Sequence, residues 1–385
     1  MSRLLLINQS VGHLFADVLS AAVVAGHHVT LFSAEIEFQV PSSVKKYWGC
    51  RYLSNSIWQR IGTWLLFSVQ LLWHLIWYGY RYDKLLIVSN PPFAPLLACF
   101  ARRPYALVLY DLYPQVLRDL GYIDHTNLLY RLWWAINGKV LRGATKVFTL
   151  SERMAVELRD YYPNVACFEA SVDIIPPWAD QSVVFQVPRA DNPFVEEYQL
   201  EDSFVVLYSG NMGVTHPLED IVETARLLVG QQHFKFFFIG DGPKRAALEK
   251  QAYGLNNIHF LLSLPLSQLK FSLSAATVSV VALDVNASGT SVPSKTYSAL
   301  AAGTPLLVLS GADAEVSTLA EKQAVGICVR PGNPAALARA ILDLSENHEK
   351  LAQMKGRALS LSKKYTPINA TVMIKRWLCG SKQLM

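Results

Sequence analysis

Apolar runs of strand length alternate with helix-patterned stretches along almost the whole chain, and that rhythm leaves few folds open. Strands covered on both faces read as continuous apolar runs, and a helix between each pair makes the sheet parallel. In the first half the runs are Leu4–Asn8, His28–Phe32, Leu85–Ser89, Ala106–Tyr110 and Lys146–Leu150, with a shorter one near Val165. A helical stretch, Leu14–Ala25, separates the first two and stops at Gly26. A second series takes in Phe204–Ser209, Phe234–Gly240, Ile258–Leu261, Val278–Ala282, Leu306–Leu309 and Gly326–Val329. Between the series, Ile175 to Asp202 holds Pro176, Pro177, Pro188 and Pro193 and reads as a linker. The fold class is therefore α/β, with two Rossmann-like, doubly wound parallel-sheet domains expected at residues 1–185 and 195–365. The amphipathic stretch at about 366–385 is expected to pack back on the first. A chain of 385 residues is too long for one small core, which agrees.

Composition narrows the function. Hydrophobic residues make up 51% of the chain and charged ones only 17%, so large cores and apolar surface in search of a partner are both expected. The net charge of +5 comes from scattered residues rather than Lys/Arg blocks, which argues against nucleic acid. Cys50, Cys99, Cys167, Cys328 and Cys379 are far apart and form no CxxC pair, so neither a disulfide framework nor a zinc site is expected. The short run ending at Asn8 reads as a first strand rather than a secretory leader, and a cytoplasmic enzyme is expected.

One segment stands apart. Ile61 to Tyr80 has no charged residue and nears the ~20 residues of a membrane span. Three readings are open: a buried core helix, a helix lying in a membrane surface, or a true span. The strand beginning after Asp83 opposes the span, because one sheet could not hold it together with Leu4–Asn8 across a bilayer. Tryptophans with Arg60 and Arg81 at the flanks favour an interfacial helix over a plain core one.

Three glycine-rich loops in the second half carry the candidate chemistry. Gly289 to Pro305 reads Gly-Thr-Ser-Val-Pro-Ser-Lys-Thr-Tyr-Ser-Ala-Leu-Ala-Ala-Gly-Thr-Pro, a hydroxyl-rich loop running into a helix from about Ser294 to Ala302. A helix N-terminus beside Lys295 can hold a phosphate, although an ordinary connection with a solvated lysine fits the same residues. Tyr208-Ser-Gly-Asn-Met-Gly213 and Gly240-Asp-Gly-Pro243 likewise follow strands and precede helices. Glycine at a strand's carboxyl end lets backbone approach a ligand closely, and open α/β sheets bind ligands at that edge.

In this order, Ser-Gly-Asn-Met-Gly213, Phe-Phe-Phe-Ile-Gly-Asp-Gly-Pro-x-Arg-x-x-Leu-Glu249, Asn-Ile-His-Phe-Leu261 and Val-Pro-Ser-Lys-x-Tyr-x-x-Leu-Ala-Ala-Gly-x-Pro305 resemble a family 4 retaining glycosyltransferase. Val-Ser-Asn-Pro-Pro-Phe93 and Leu-Tyr-Asp-Leu-Tyr-Pro114 resemble the branch that builds surface polysaccharides and O-antigens on lipid carriers. The resemblance implies the GT-B fold and a nucleoside-diphosphate sugar donor, UDP- or GDP-linked, with no cofactor and no metal. It places Gly289, Thr290, Ser291, Ser294 and Lys295 at the diphosphate or transferred sugar. Gly210, Asn211, Gly240 and Gly242 fall near the donor, Leu264 near its base, and Gly12 and His13 in a loop that approaches the phosphate.

Transfer of this kind is thought to need no enzymic nucleophile. Stabilising the leaving diphosphate is then the main task, which falls to Lys295, while Asp111 would orient or deprotonate the acceptor hydroxyl. As a plain structural residue, Asp111 would cap the next turn. Two family glutamates fall at Thr290 and Ser298, and two basic clamp residues at Asn211 and about His216, so the charge shifts onto Lys295. The expected function is transfer of a hexose or N-acetylhexosamine to a lipid-linked or saccharide acceptor. The expected place is the inner face of the plasma membrane, with contact through 61–80. A sugar-nucleotide epimerase or hydrolase, or a non-catalytic partner subunit, are the alternatives.

Overall fold

The computed structural model describes residues 1–53, 57–163, 165 and 172–379. The chain divides into two compact units. Unit 1 comprises Met1–Pro177, Thr290–Val292 and the tail beginning at Pro367; unit 2 comprises Trp178–Gly289 and Pro293–Thr366.

Unit 1 is built on a seven-stranded parallel sheet, joined by the short pair β2 (Ser10–Val11) and β4 (Glu35–Ile36). Its strands are β1 (Arg3–Ile7), β3 (His28–Ser33), β5 (Lys45–Trp48), β6 (Lys84–Val88), β7 (Tyr105–Leu109), β8 (Lys146–Thr149) and β9 (Val172–Ile174). They lie in the order β5-β3-β1-β6-β7-β8-β9, with Leu4 opposite Val29 on one side and Lys84 on the other. Helices α1 (His13–Val24), α2 (Ile57–Tyr78), α3 (Gln115–Asp119) and α4 (Leu128–Gly143) connect them. Leu4 to Ile7 are fully buried, as a central strand covered on both faces requires.

Two features of this sheet differ from the sequence expectation. The edge strand β5 reads Lys-Lys-Tyr-Trp and has no apolar run, because an edge strand needs no full burial. The strand expected near Val165 is β9 at Val172–Ile174 instead, tied to β8 by a Lys146–Asp173 ion pair of 3.0 Å. The tail helix Ile368–Cys379 packs on α1, and Arg376 donates to the Ile174 carbonyl. Residues 380–385 of the expected tail helix, and Cys167, lie outside the described residues.

Segment 61–80 forms most of α2, which continues into a 3-10 turn at Gly79–Arg81. One side of α2 is core: Phe67, Leu71 and Leu75 are fully or almost fully buried. The other side is open, with Trp73 62% and Trp77 57% exposed. His74 sits on the buried side, 2.9 Å from the Tyr82 hydroxyl, and burial lowers its pKa to about 4.

Unit 2 carries a six-stranded parallel sheet of β10 (Phe204–Ser209), β11 (Phe234–Ile239), β12 (Ile258–Leu261), β13 (Val278–Ala282), β14 (Leu306–Leu309) and β15 (Gly326–Val329). The order is β12-β11-β10-β13-β14-β15. Its core is aromatic on the β10–β11 side, where Phe204, Val206 and Tyr208 pack with Phe234, Phe236 and Phe238. The proline-rich linker is not loose. The Arg189 guanidinium donates to the carbonyls of Ala275, Leu200 and Ser203, and the Asn192 amide donates to the Phe271 carbonyl at 2.9 Å. Proline-fixed backbone offers few donors, so side chains fasten this stretch to unit 2.

Candidate active site

In unit 2 the carboxyl ends of β10 and β11 lead into the two glycine loops, and the loops interlock. Met212 N–H donates to the Asp241 carbonyl at 2.7 Å, and Gly210 N–H donates to that of Ile239 at 2.8 Å. Gly240 has φ +135, and a Cβ there would meet the Gly210 carbonyl oxygen at 2.2 Å; at Gly242, with φ +146, it would meet Met212 backbone at 2.7 Å. These glycines therefore serve loop-on-loop packing as well as any ligand approach. Gly240→Ala is expected to cost about 2–3 kcal/mol from backbone strain and overlap. Gly230→Ala, where a Cβ meets nothing within 4 Å, should stay within about 0.5 kcal/mol. Urea unfolding of both variants checks this.

Lys295 opens the helix Lys295–Ala301. Its ammonium donates to the Tyr208 hydroxyl at 2.7 Å and lies 3.9 Å from the centre of that ring. A Cβ added at Gly210 would fall 3.4 Å from the same Nζ, so the cation borders the first glycine loop. Burial lowers the Lys295 pKa to about 7. The helix is only seven residues, two turns, so its dipole is small and the lysine is the stronger source of positive charge.

Tyr208 is the hub that sequence reasoning missed. In the sequence it is one more aromatic facing the core of a strand, and nothing there shows that its hydroxyl gathers three partners. Besides Lys295, the hydroxyl donates to the Asn211 carbonyl at 2.6 Å and lies 2.8 Å from His216 Nδ1. His216 also accepts from Gly213 N–H at 3.3 Å. Burial first, then the Lys295 and Lys244 charges, lower its pKa to about 4, so it stays neutral at neutral pH. Lys244 closes the far side, donating to the His216 carbonyl at 2.7 Å and pairing with Glu219 at 2.9 Å. Asn211 and His216 thus form a neutral, hydrogen-bonded loop.

The remaining unit 2 candidates lie on segments that follow β12 and β13. Gly289 is buried at the end of the segment that follows β13, and Ser294 is exposed at the helix N-cap with no side-chain cap bond. Leu264 is half-buried in the loop after β12, at the same edge of the sheet. Ser298 lies half-buried within the helix.

Thr290 and Ser291 belong to unit 1, beside Asp111. Ser291 forms an antiparallel bridge with Asp111, and Leu112 N–H donates to the Thr290 carbonyl at 3.2 Å. Asp111 stands just past the carboxyl end of β7, where the Ser89 hydroxyl accepts from Tyr110 N–H at 2.9 Å. Burial raises the Asp111 pKa, and the Ser291 hydrogen bond opposes the rise. Asp111, Tyr113, Gln115 and Asn137 line a small cavity of ≈ 30 Å³, room for about one water. Gln115 is buried and donates to the Tyr162 hydroxyl at 2.9 Å. Trp64, Phe93, Tyr113 and Trp133 form an aromatic cluster beside this loop, with Tyr113 and Trp133 stacked at 6.0 Å. Gly12 is the N-cap of α1 and His13 its first residue, with the imidazole 5.7 Å from the Phe38 ring. Among the described residues no group of three or more His, Cys, Asp or Glu is placed to hold a metal.

Chemically, unit 2 offers one partly desolvated cation at a glycine-lined strand edge, and unit 1 offers a basic carboxylate among aromatics. Comparison with known proteins gives a matching picture. Residues 203–347 match the family model for glycosyl transferases group 1, and residues 11–178 that for a glycosyl transferase 4-like domain. The chain is 30% identical over 320 residues to the candidate glycosyltransferase WbjE of Pseudomonas aeruginosa, covering 80% of this chain and 75% of that one. It is 29% identical over 209 residues to the candidate colanic acid biosynthesis glycosyl transferase WcaI of Escherichia coli K12, covering 52% and 49%. In fold it is similar to Anabaena HepE, solved in complex with UDP and glucose, with a TM-score of 0.73 at 14% identity over 98% and 100% of the two chains. The two parallel-sheet units are those of the GT-B fold.

Proposed function

The chain belongs to the group 1 glycosyl transferases, and on that premise we propose that it moves a hexose or N-acetylhexosamine from a UDP- or GDP-linked sugar to a lipid-linked or saccharide acceptor, retaining the anomeric configuration, in cell-surface polysaccharide synthesis. The observation that carries this reading is the Lys295 ammonium, held by Tyr208 against the Gly210 loop. As the sugar leaves, negative charge grows on the diphosphate, and a positioned cation in a poorly solvated place stabilises it far more than water would. Asp111 orients the acceptor hydroxyl and takes part in its deprotonation, for which a raised pKa makes it the stronger base. The UDP and glucose in the HepE structure support a nucleotide-sugar donor, and the colanic acid role in WcaI's name supports a polysaccharide product. The reaction takes place in the cytoplasm, with the enzyme peripheral on the inner face of the plasma membrane.

A thermal-shift screen of UDP- and GDP-sugars on the full chain tests the donor, since a ligand that binds the folded state raises the melting temperature by mass action. Stabilisation by at least one nucleotide sugar is expected, followed by NMR of the product showing the donor's anomeric configuration. Absence of any stabilisation rejects the reading. Donor consumed without an acceptor points to an epimerase or hydrolase.

A further inference from the structure

The outward side of α2 and of the 3-10 turn that follows it is an apolar stripe. Trp58, Leu65, Val69, Trp73, Ile76 and Tyr80 recur every three or four residues where the spacing is closest, and all are at least half exposed. A helix of 22 residues is about 33 Å long, and α2 contains no acidic residue. Soluble monomers seldom leave so long an apolar strip uncovered.

The stripe ends at a basic edge. The first residues of four adjacent strands are Lys45 in β5, His28 in β3, Arg3 in β1 and Lys84 in β6, all at the sheet's amino edge. A cavity of ≈ 580 Å³ opens there, lined by Arg3, His27, Lys45, Arg81 and their neighbours and by no acidic residue. Asp83, also at this edge, is paired with Arg3 at 2.9 Å. Arg81 joins the two features: it lines the cavity, and its guanidinium lies over the rings of Tyr78 and Tyr80 at 4.8 and 5.6 Å.

We propose that α2 lies flat in the interface of an anionic phospholipid bilayer, with Lys45, Arg81 and the basic cavity meeting lipid phosphates. This deepens the membrane placement given above and is independent of the transfer chemistry. An amphipathic helix with aromatics on one face and cations at its end binds such interfaces by apolar burial and electrostatic attraction together. Spanning is disfavoured because Phe67, Leu71 and Leu75, on the opposite side, belong to the core of unit 1. Pairing of two α2 stripes would bring Arg60 and Arg81 ends together in either direction, with no acid in the helix to match them.

Flotation of the full chain with phosphatidylcholine vesicles, and with vesicles that also contain phosphatidylglycerol, tests the proposal. Strong binding to the anionic vesicles and weak binding to the neutral ones is expected. Trp73→Glu with Trp77→Glu should lower binding about tenfold or more. Lys45→Gln and Arg81→Gln should each lower it about fivefold, on anionic vesicles only, and added salt should mimic them. All four substitutions are on the surface and should leave nucleotide-sugar stabilisation unchanged. The proposal is overturned if the wild type does not float, or if the Trp variants float equally well. A stable wild-type dimer that the Trp variants make monomeric also overturns it. A wild type that binds a nucleotide sugar but does not float sinks the docking alone, while one that floats but binds no nucleotide sugar sinks the transferase reading alone.

Discussion

Lys295→Ala is expected to lower kcat by roughly a hundred- to a thousandfold, the usual cost of removing one preorganised group that stabilises developing charge. Folding should suffer little, because the hydroxyl that Lys295 contacts also bonds the Asn211 carbonyl and faces His216. Lys295→Arg should recover only part of the rate, since a planar guanidinium needs more room than Gly210 leaves. The pH dependence gives a separate readout. Burial holds the lysine near pKa 7 before ligand binds, so the charged form is lost as pH rises through that value. Affinity for a nucleoside diphosphate should therefore fall by up to about tenfold per pH unit above neutrality. The Ala variant should bind weakly with no such slope. Titration calorimetry with UDP and GDP between pH 6 and 9 measures this, and an Ala variant with wild-type kcat would remove Lys295 from the mechanism.

Asp111→Asn should reduce kcat by roughly a hundred- to ten-thousandfold if its carboxylate serves the acceptor hydroxyl. The amide keeps the shape and can still bond Ser291, so the melting temperature should change little. The sign of the pH effect follows from the raised pKa: protonation on acidification removes the base at a higher pH than for an ordinary aspartate. The wild-type rate should fall on the acid side, and that limb should be absent from the residual activity of Asp111→Asn. A variant that keeps more than about a third of the rate would assign Asp111 to the Ser291 bridge alone.

Much of the fold was legible because parallel strands are buried on both faces. Phe204–Ser209, Ile258–Leu261, Val278–Ala282, Leu306–Leu309 and Gly326–Val329 have the bounds read from their apolar runs. β5 was not legible, since two lysines and a tryptophan at a sheet edge lack that signature. At the candidate site the glycine loops and Lys295 could be picked out by residue type and position. The part played by Tyr208 could not, because a tyrosine in a buried strand looks the same whether or not its hydroxyl has partners. Nor could the seating of Thr290–Val292 in unit 1, which depends on a backbone pairing with Asp111 far away in sequence.

The tail helix on α1 has a consequence for how the protein is made. Domains tend to fold as units during synthesis, the first to emerge folding first. Here the first unit to be translated lacks two of its parts until late: Thr290–Val292, and the helix Ile368–Cys379 that packs on α1. Unit 2 is continuous apart from those three residues and has all its chain once Thr366 has been added. On the ribosome, then, unit 1 should remain incomplete throughout the synthesis of unit 2, with α1 uncovered. The first unit begun would be the last one finished.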